Sequence, residues 1–138
     1  MPLSIWYDWK NDCPDPRDRE QNFGTVMPDL TPKPAYVAVW VFSRELAGFR
    51  LLARLDTGRE EDFVLALSDA AGRTKLAAWT TAEPHAVMIE MGPGPQSSVA
   101  VTEMSGRKSE AIVRSQGLIL DLDPEPRYVD LGRAAPKK

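Results

Sequence analysis

From Gly48 onward the sequence is a succession of short apolar runs, each closed by turn residues, with no stretch long enough for a buried helix. The runs are Phe49–Asp56, Asp62–Ser68, Thr74–Thr80, Ala86–Met91, Ser98–Glu103, Ala111–Arg114, Leu118–Leu122 and Tyr128–Leu131. Asp69-Ala70-Ala71-Gly72 reads as a hairpin turn, and Gly92-Pro-Gly-Pro95 as a rigid turn between strands. Val99 and Val101 alternate with Ala100 and Thr102, which is the period of a half-buried strand. About eight short strands with regularly placed turns predict an antiparallel β-sandwich over residues 49–131. The remainder, residues 132–138, is expected to be a disordered tail.

Residues 1–48 have a different texture. Leu3–Trp9 combines β-branched and aromatic residues and reads as a strand. A polar loop runs from Lys10 to Asp29, broken by Pro14, Pro16, Gly24 and Pro28. Ordered loops of that length are usually binding loops. Thr31 is a suitable N-cap and Pro32 suits the first helical position, so a helix is predicted over residues 32–47, ended by Gly48. Ala35, Ala38, Val39, Phe42 and Leu46 form one apolar face. Tyr36, Val37, Trp40 and Val41 extend it around most of the circumference. One sandwich cannot cover all of that surface, so a homo-oligomer with this helix in its interface is expected.

The chain has 138 residues, too few for a complete (β/α)8 barrel of roughly 250. Its net charge of −3 gives no support to a nucleic-acid partner, which a basic patch would favour. No apolar stretch approaches membrane-spanning length, and no membrane partner is expected. No signal peptide opens the chain, so as read it is cytoplasmic; as a piece of a longer secreted enzyme it would be extracellular or periplasmic. The single cysteine, Cys13, forms no internal disulfide. No cofactor and no metal are expected. His85 is the sole histidine and reads as a surface or edge residue, and the acidic loop Asp12, Asp15, Asp18, Glu20 reads as solvated charge.

One cluster carries chemistry. Trp6, Tyr7 and Trp9 stand beside Asp8, Lys10, Asn11 and Asp12. A sugar ring presents a C–H face to an aromatic plate and a rim of hydroxyls to carboxylates and amides. Tryptophan supplies the plate with a polar handle. An oligo- or polysaccharide partner is expected, with Trp6, Asp8, Trp9, Lys10 and Asp12 as binding residues. Packing within a strand is the alternative role for Trp6 and Trp9, and Trp40 and Trp79 are read as core.

The segments Pro2–Asp12, Asn22–Val26 and Lys33–Tyr36 resemble the eighth strand, its loop and the eighth helix of clan A glycoside hydrolases. The likeness is to family 39 and to bacterial exopolysaccharide endoglycosidases, in which a β-sandwich comes after the barrel. It implies that residues 1–48 correspond to the last β/α unit of a barrel and residues 49–131 to that sandwich. In those families two glutamates act, one usually after an asparagine at the end of strand four, the other at the end of strand seven. Both would lie upstream of Met1, and no Asn-Glu pair occurs here. Trp6 matches the tryptophan that lines the sugar subsite, and Asp8, Trp9, Lys10 and Asp12 match the neighbouring loop. Cys13 stands where a glycine is usual. Three readings are open. The first is a carbohydrate-binding, glycoside-hydrolase-related protein without the usual glutamates. The second is a small glycoside hydrolase acting on β-glycosidic bonds through carboxylates of its own, with Asp8, Asp12 and Glu20 as candidates. The third is a ligand-free structural fragment that self-associates.

Overall fold

The computed structural model describes residues 7–92, 97–115 and 117–137. The eight expected runs form eight strands: β1 (Arg50–Leu55), β2 (Asp62–Ser68), β3 (Thr74–Thr80), β4 (His85–Ile89), β5 (Ser97–Glu103), β6 (Lys108–Arg114), β7 (Gly117–Leu122) and β8 (Arg127–Gly132). All pair antiparallel in one sheet of order β1-β2-β3-β8-β5-β6-β7-β4. The last strand in sequence is therefore internal, between β3 and β5. The fold is mainly antiparallel β, as expected, and one continuous curled sheet supplies both layers of the sandwich.

The period-2 pattern decides what each face buries. On β2, Val64 and Ala66 point inward; on β3, Leu76 and Ala78; on β7, Leu118, Leu120 and Leu122; on β8, Val129 and Leu131. Together with Val87 and Ile89 of β4 and Val99 and Val101 of β5 they form the main core. Curling is what lets these strands share a core, since β2 and β7 are far apart in the strand order. Burying a leucine or valine side chain contributes about 1.5–3 kcal/mol, so this layer holds the sheet in its curl.

The opposite face of β2, β3 and β8 is also apolar and takes the helix. Helix α1 (Pro34–Glu45) buries Val41 against Leu67, Ala77 and Tyr128, with Val37, Leu46, Phe49, Leu65 and Trp79 packed at the edge. Lys75 of β3 fixes the helix end: its Nζ donates to the Glu45 carbonyl at 2.9 Å and to Glu45 Oε2 at 2.8 Å. A cation there also suits the negative end of the helix dipole.

The helix begins two residues later than expected, because residues 31–33 are committed elsewhere. Pro32 bridges Val26, and the Lys33 N–H donates to the Thr25 carbonyl at 3.0 Å. Lys33, which precedes Pro34, is extended at φ −81° and ψ 161°, as its place before a proline favours. Lys33 is therefore the N-cap, with no side-chain capping bond, and Pro34 takes the first turn. At the other end Gly48 has φ +79°, the left-handed conformation that stops a helix.

Residues 133–137, within the segment expected to be disordered, make backbone contacts. Ala134 N–H donates to the Leu131 carbonyl at 3.0 Å and Lys137 N–H to the Glu90 carbonyl at 2.9 Å. Among the described residues no helix is long and apolar enough to cross a membrane.

Candidate functional site

Most of the expected strand Leu3–Trp9, including Trp6, lies outside the described residues. The loop after it is tightly tied. The Asn11 N–H donates to the Val26 carbonyl at 3.0 Å, and the Thr25 and Val26 N–H groups donate to the Trp9 carbonyl at 3.0 and 3.1 Å. Gly24 makes this approach possible: a Cβ there would lie 2.3 Å from Asn11 N and from the Lys10 carbonyl carbon. Asn11 is buried. Its amide nitrogen donates to Asn22 Oδ1, and its oxygen accepts from Lys33 Nζ at 2.6 Å. Lys33 also donates to the Asn22 carbonyl at 2.9 Å, and Asn22 Nδ2 reaches the carbonyls of Asp15 and Asp18 at 2.6 Å each. The Asn11–Asn22–Lys33 cluster thus ties the loop to the start of α1.

This frame presents aromatic side chains to solvent. Trp9 is 60% exposed and meets Tyr36 of α1 edge-on at 5.7 Å between ring centroids. Tyr7 is also exposed and lies tilted against Phe23 at 6.4 Å. Asp8 sits between Tyr7 and Trp9, half-buried, and its Oδ1 has no hydrogen-bond partner among the described residues. Lys10 and Asp12 are exposed on the same loop. The structure therefore brings Asp8, Trp9, Lys10 and Asp12 onto one loop, with Trp6 undescribed. Glu20 is exposed in a short 3-10 turn (Arg19–Gln21), and no hydrogen bond links it to Asp8 or Asp12 among the described residues. The remaining loop acids are engaged locally. Asp15 accepts from Arg17 at 3.1 Å, and that bond holds its carboxyl below the usual range. Asp18 accepts from the Glu20 N–H and from Gln21 Nε2. Among the described residues no group of three His, Cys, Asp or Glu side chains could hold a metal.

Sequence reasoning did not single out Phe23, or the Asn11–Asn22–Lys33 cluster. The signal was there in Asn22-Phe-Gly24, where a glycine after an aromatic allows close backbone approach. A second concave surface lies between α1 and the outer sheet face, about 600 Å3 and lined by Phe42, Leu46, Phe49, Leu51, Trp79 and Tyr128. Trp79, expected in the core, is half-buried on that wall. It stacks parallel on Phe63 at 4.9 Å, and the Arg54 guanidinium lies over the Phe63 ring at 4.1 Å.

No protein-family model matches the chain, and no curated protein sequence does. Solved structures do. A family 39 glycoside hydrolase from the gut symbiont Bacteroides cellulosilyticus WH2 superposes with a TM-score of 0.77 at 28% identity, over 91% of this chain and 25% of that one. A family 30 endoxylanase from Clostridium papyrosolvens C71 superposes with a TM-score of 0.63 at 14% identity, over 78% of this chain and 30% of that one. The chain thus spans less than a third of either enzyme's length. On this fold, the chain is similar to the carboxyl-terminal part of these clan A glycoside hydrolases.

Proposed function

We propose that this is a carbohydrate-binding, glycoside-hydrolase-related protein whose sugar-contact surface is the loop unit of Trp6, Asp8, Trp9, Lys10 and Asp12. The observation that carries the proposal is Trp9. A tryptophan that is 60% exposed, on a loop tied by three backbone hydrogen bonds and edged by Tyr36, is a rigid plate facing solvent. An aromatic whose orientation is already fixed loses little entropy when a ring stacks on it. Asp8, adjacent to Trp9 in the chain and half-buried, is the nearest carboxylate to that plate, and its Oδ1 has no hydrogen-bond partner among the described residues.

The chain holds no Asn-Glu pair, and Asp8, Asp12 and Glu20 share no hydrogen bond among the described residues. Binding without double-displacement turnover is therefore the reading we favour over a small hydrolase. Affinity electrophoresis against soluble xylan and β-glucans tests it, alongside hydrolysis of nitrophenyl glycosides. Retardation by a polysaccharide that Trp9→Ala abolishes and Trp79→Ala leaves intact is the expected result. Retardation unchanged in Trp9→Ala would sink the proposed surface. Turnover lost in Asp8→Asn or Asp12→Asn would establish the hydrolase instead.

One observation favours self-association as a second property. Val39 and Trp40 are exposed on α1, and Phe42 is exposed at the rim of the surface between α1 and the sheet. A symmetric dimer through this helix would cover them.

A further inference from the structure

We propose that His85 is held as an imidazolium that latches edge strand β4 to the β1–β2 hairpin across the open seam of the curled sheet, and that this seam loosens when the ring loses its proton. Strands β1 and β4 stand at opposite ends of the strand order, so neither has a strand partner on its outer side among the described residues. Curling brings the two edges to face each other across a slot of about 560 Å3, walled by Ala53, Leu55 and Thr57 on one side and Met88, Ile89 and Glu90 on the other. No strand fills the slot among the described residues. At one mouth, Lys137 N–H bonds the Glu90 carbonyl. At the other mouth sits the latch.

His85 opens β4, and its Nε2 lies 3.0 Å from Asp62 Oδ2, at the start of β2. Its Nδ1 lies 2.9 Å from the Glu83 carbonyl. A carbonyl accepts and never donates, so Nδ1 must carry a proton for that bond. The carboxylate oxygen can stay a pure acceptor because Asp62 is satisfied as an anion. Thr80 Oγ1 donates to its Oδ1 at 2.8 Å and Thr57 Oγ1 to its Oδ2 at 2.9 Å. Nε2 then needs a proton too, and a ring with both nitrogens protonated is charged. A neutral ring keeps one N–H. Its other nitrogen would turn a lone pair toward an oxygen, and either the strand-to-strand bond or its brace would fail.

Other groups around the ring fit this assignment. Arg59, in the β1–β2 turn, opposes the imidazolium charge, and Glu83 contributes only its carbonyl. β7 sets Leu122 opposite His85, between Asp121 and Asp123, and Asp123 is already paired with Arg127. The Glu83 carbonyl and then the Asp62 carboxylate hold the ring above its ordinary pKa. Burial disfavours the Asp62 anion, but the bonds from Thr80, His85 and Thr57 outweigh it and hold that carboxyl below its usual range. A raised histidine pKa stabilises the fold fully below the unfolded value of about 6.5 and stops doing so as pH rises through the folded value. A lowered aspartate pKa stabilises it above about 3.9 and stops doing so as pH falls through the folded value. The latch is strongest between those limits.

The sequence holds a single histidine, so uniform 15N labelling gives one imidazole ring to follow by NMR, together with the backbone amides, through a pH titration of the full chain. The expected result is a doubly protonated ring that titrates above 6.5, with the amides of Thr57, Met88 and Glu90 shifting at the same midpoint. Amides of the β5–β6 hairpin stay still. In His85→Gln those slot amides lose the midpoint, and in Asp62→Asn the ring titrates closer to its ordinary value. A ring that titrates at or below 6.5, or slot amides that do not track it, would overturn the proposal.

Discussion

Replacing Gly24 with alanine tests whether the loop that carries Trp9 is rigid for the reason given. The added Cβ would sit 2.3 Å from Asn11 N and the Lys10 carbonyl carbon, both backbone atoms that cannot swing aside. Ordinary van der Waals contact needs roughly 3.5 Å, so the 9–12 and 24–26 segments must part by about 1 Å. That strains the bonds from Asn11 to Val26 and from Thr25 and Val26 to Trp9, now 3.0 to 3.1 Å. At about 1 kcal/mol for each net hydrogen bond, the local loss is about 2–3 kcal/mol. Alanine restricts the unfolded chain and returns about 0.4–1 kcal/mol, leaving a net loss of about 1–3 kcal/mol. No residue of this loop belongs to either core cluster, so the loss should remain local. Hydrogen exchange is the assay: the amides of Asn11 and Val26 should exchange about 5- to 100-fold faster, while those of Leu76 and Val129 hold their protection. Any polysaccharide retardation should weaken with it. Unchanged exchange at Asn11 and Val26 would refute the argument from close approach.

Leu76→Ala empties a fully buried position in the central strand β3 and should cost about 2–5 kcal/mol in denaturant unfolding. Lys75→Met leaves the Glu45 carbonyl and carboxylate without their ammonium and should cost about 1–3 kcal/mol, discounted because Glu45 is partly exposed and keeps Arg44. Although burial opposes it, the bonds from Lys75 and Arg44 hold the Glu45 carboxyl below its ordinary pKa, so the difference between Lys75→Met and the parent should be full at neutral pH and shrink as pH falls through the folded value. Trp40→Glu should leave a folded monomer, read by light scattering and circular dichroism, because Trp40 is exposed and belongs to neither core cluster.

The sheet was legible because its strands are short, alternating and separated by turn residues, so β2 and β3 begin and end where the pattern does. Strand order was not legible. Nothing local in Arg127–Gly132 says that it pairs with β3 and β5, since that choice depends on which surfaces the whole chain must cover. The helix start differs by two residues because Thr31 and Pro32 have the right local chemistry for a cap, but pairing with Val26 claims them first. In the loop, Trp9 and Asn11 could both be named from residue type and neighbours, but Asn11 reads there as an amide facing a ligand and not as a buried tie. Its burial comes from Asn22 and Lys33, 11 and 22 positions away, and no window of sequence contains all three. His85 reads locally as a surface or edge residue, and its contact with Asp62 spans 23 positions.

The central place of β8 has a consequence during synthesis. Until residues 127–132 have left the ribosome, the chain can make only two partial sheets, β1-β2-β3 and β5-β6-β7-β4. β3 and β5 each then carry a bare edge on the side meant for β8, and the inner faces that Val129 and Leu131 will seal stay wet. Such edges recruit strands from neighbouring nascent chains. A premature stop or frameshift near Pro126 would therefore not give a slightly shortened domain. It would give two sticky halves destined for chaperones or proteases, and the last few codons of the strand-forming region decide whether any of the preceding residues becomes a folded protein.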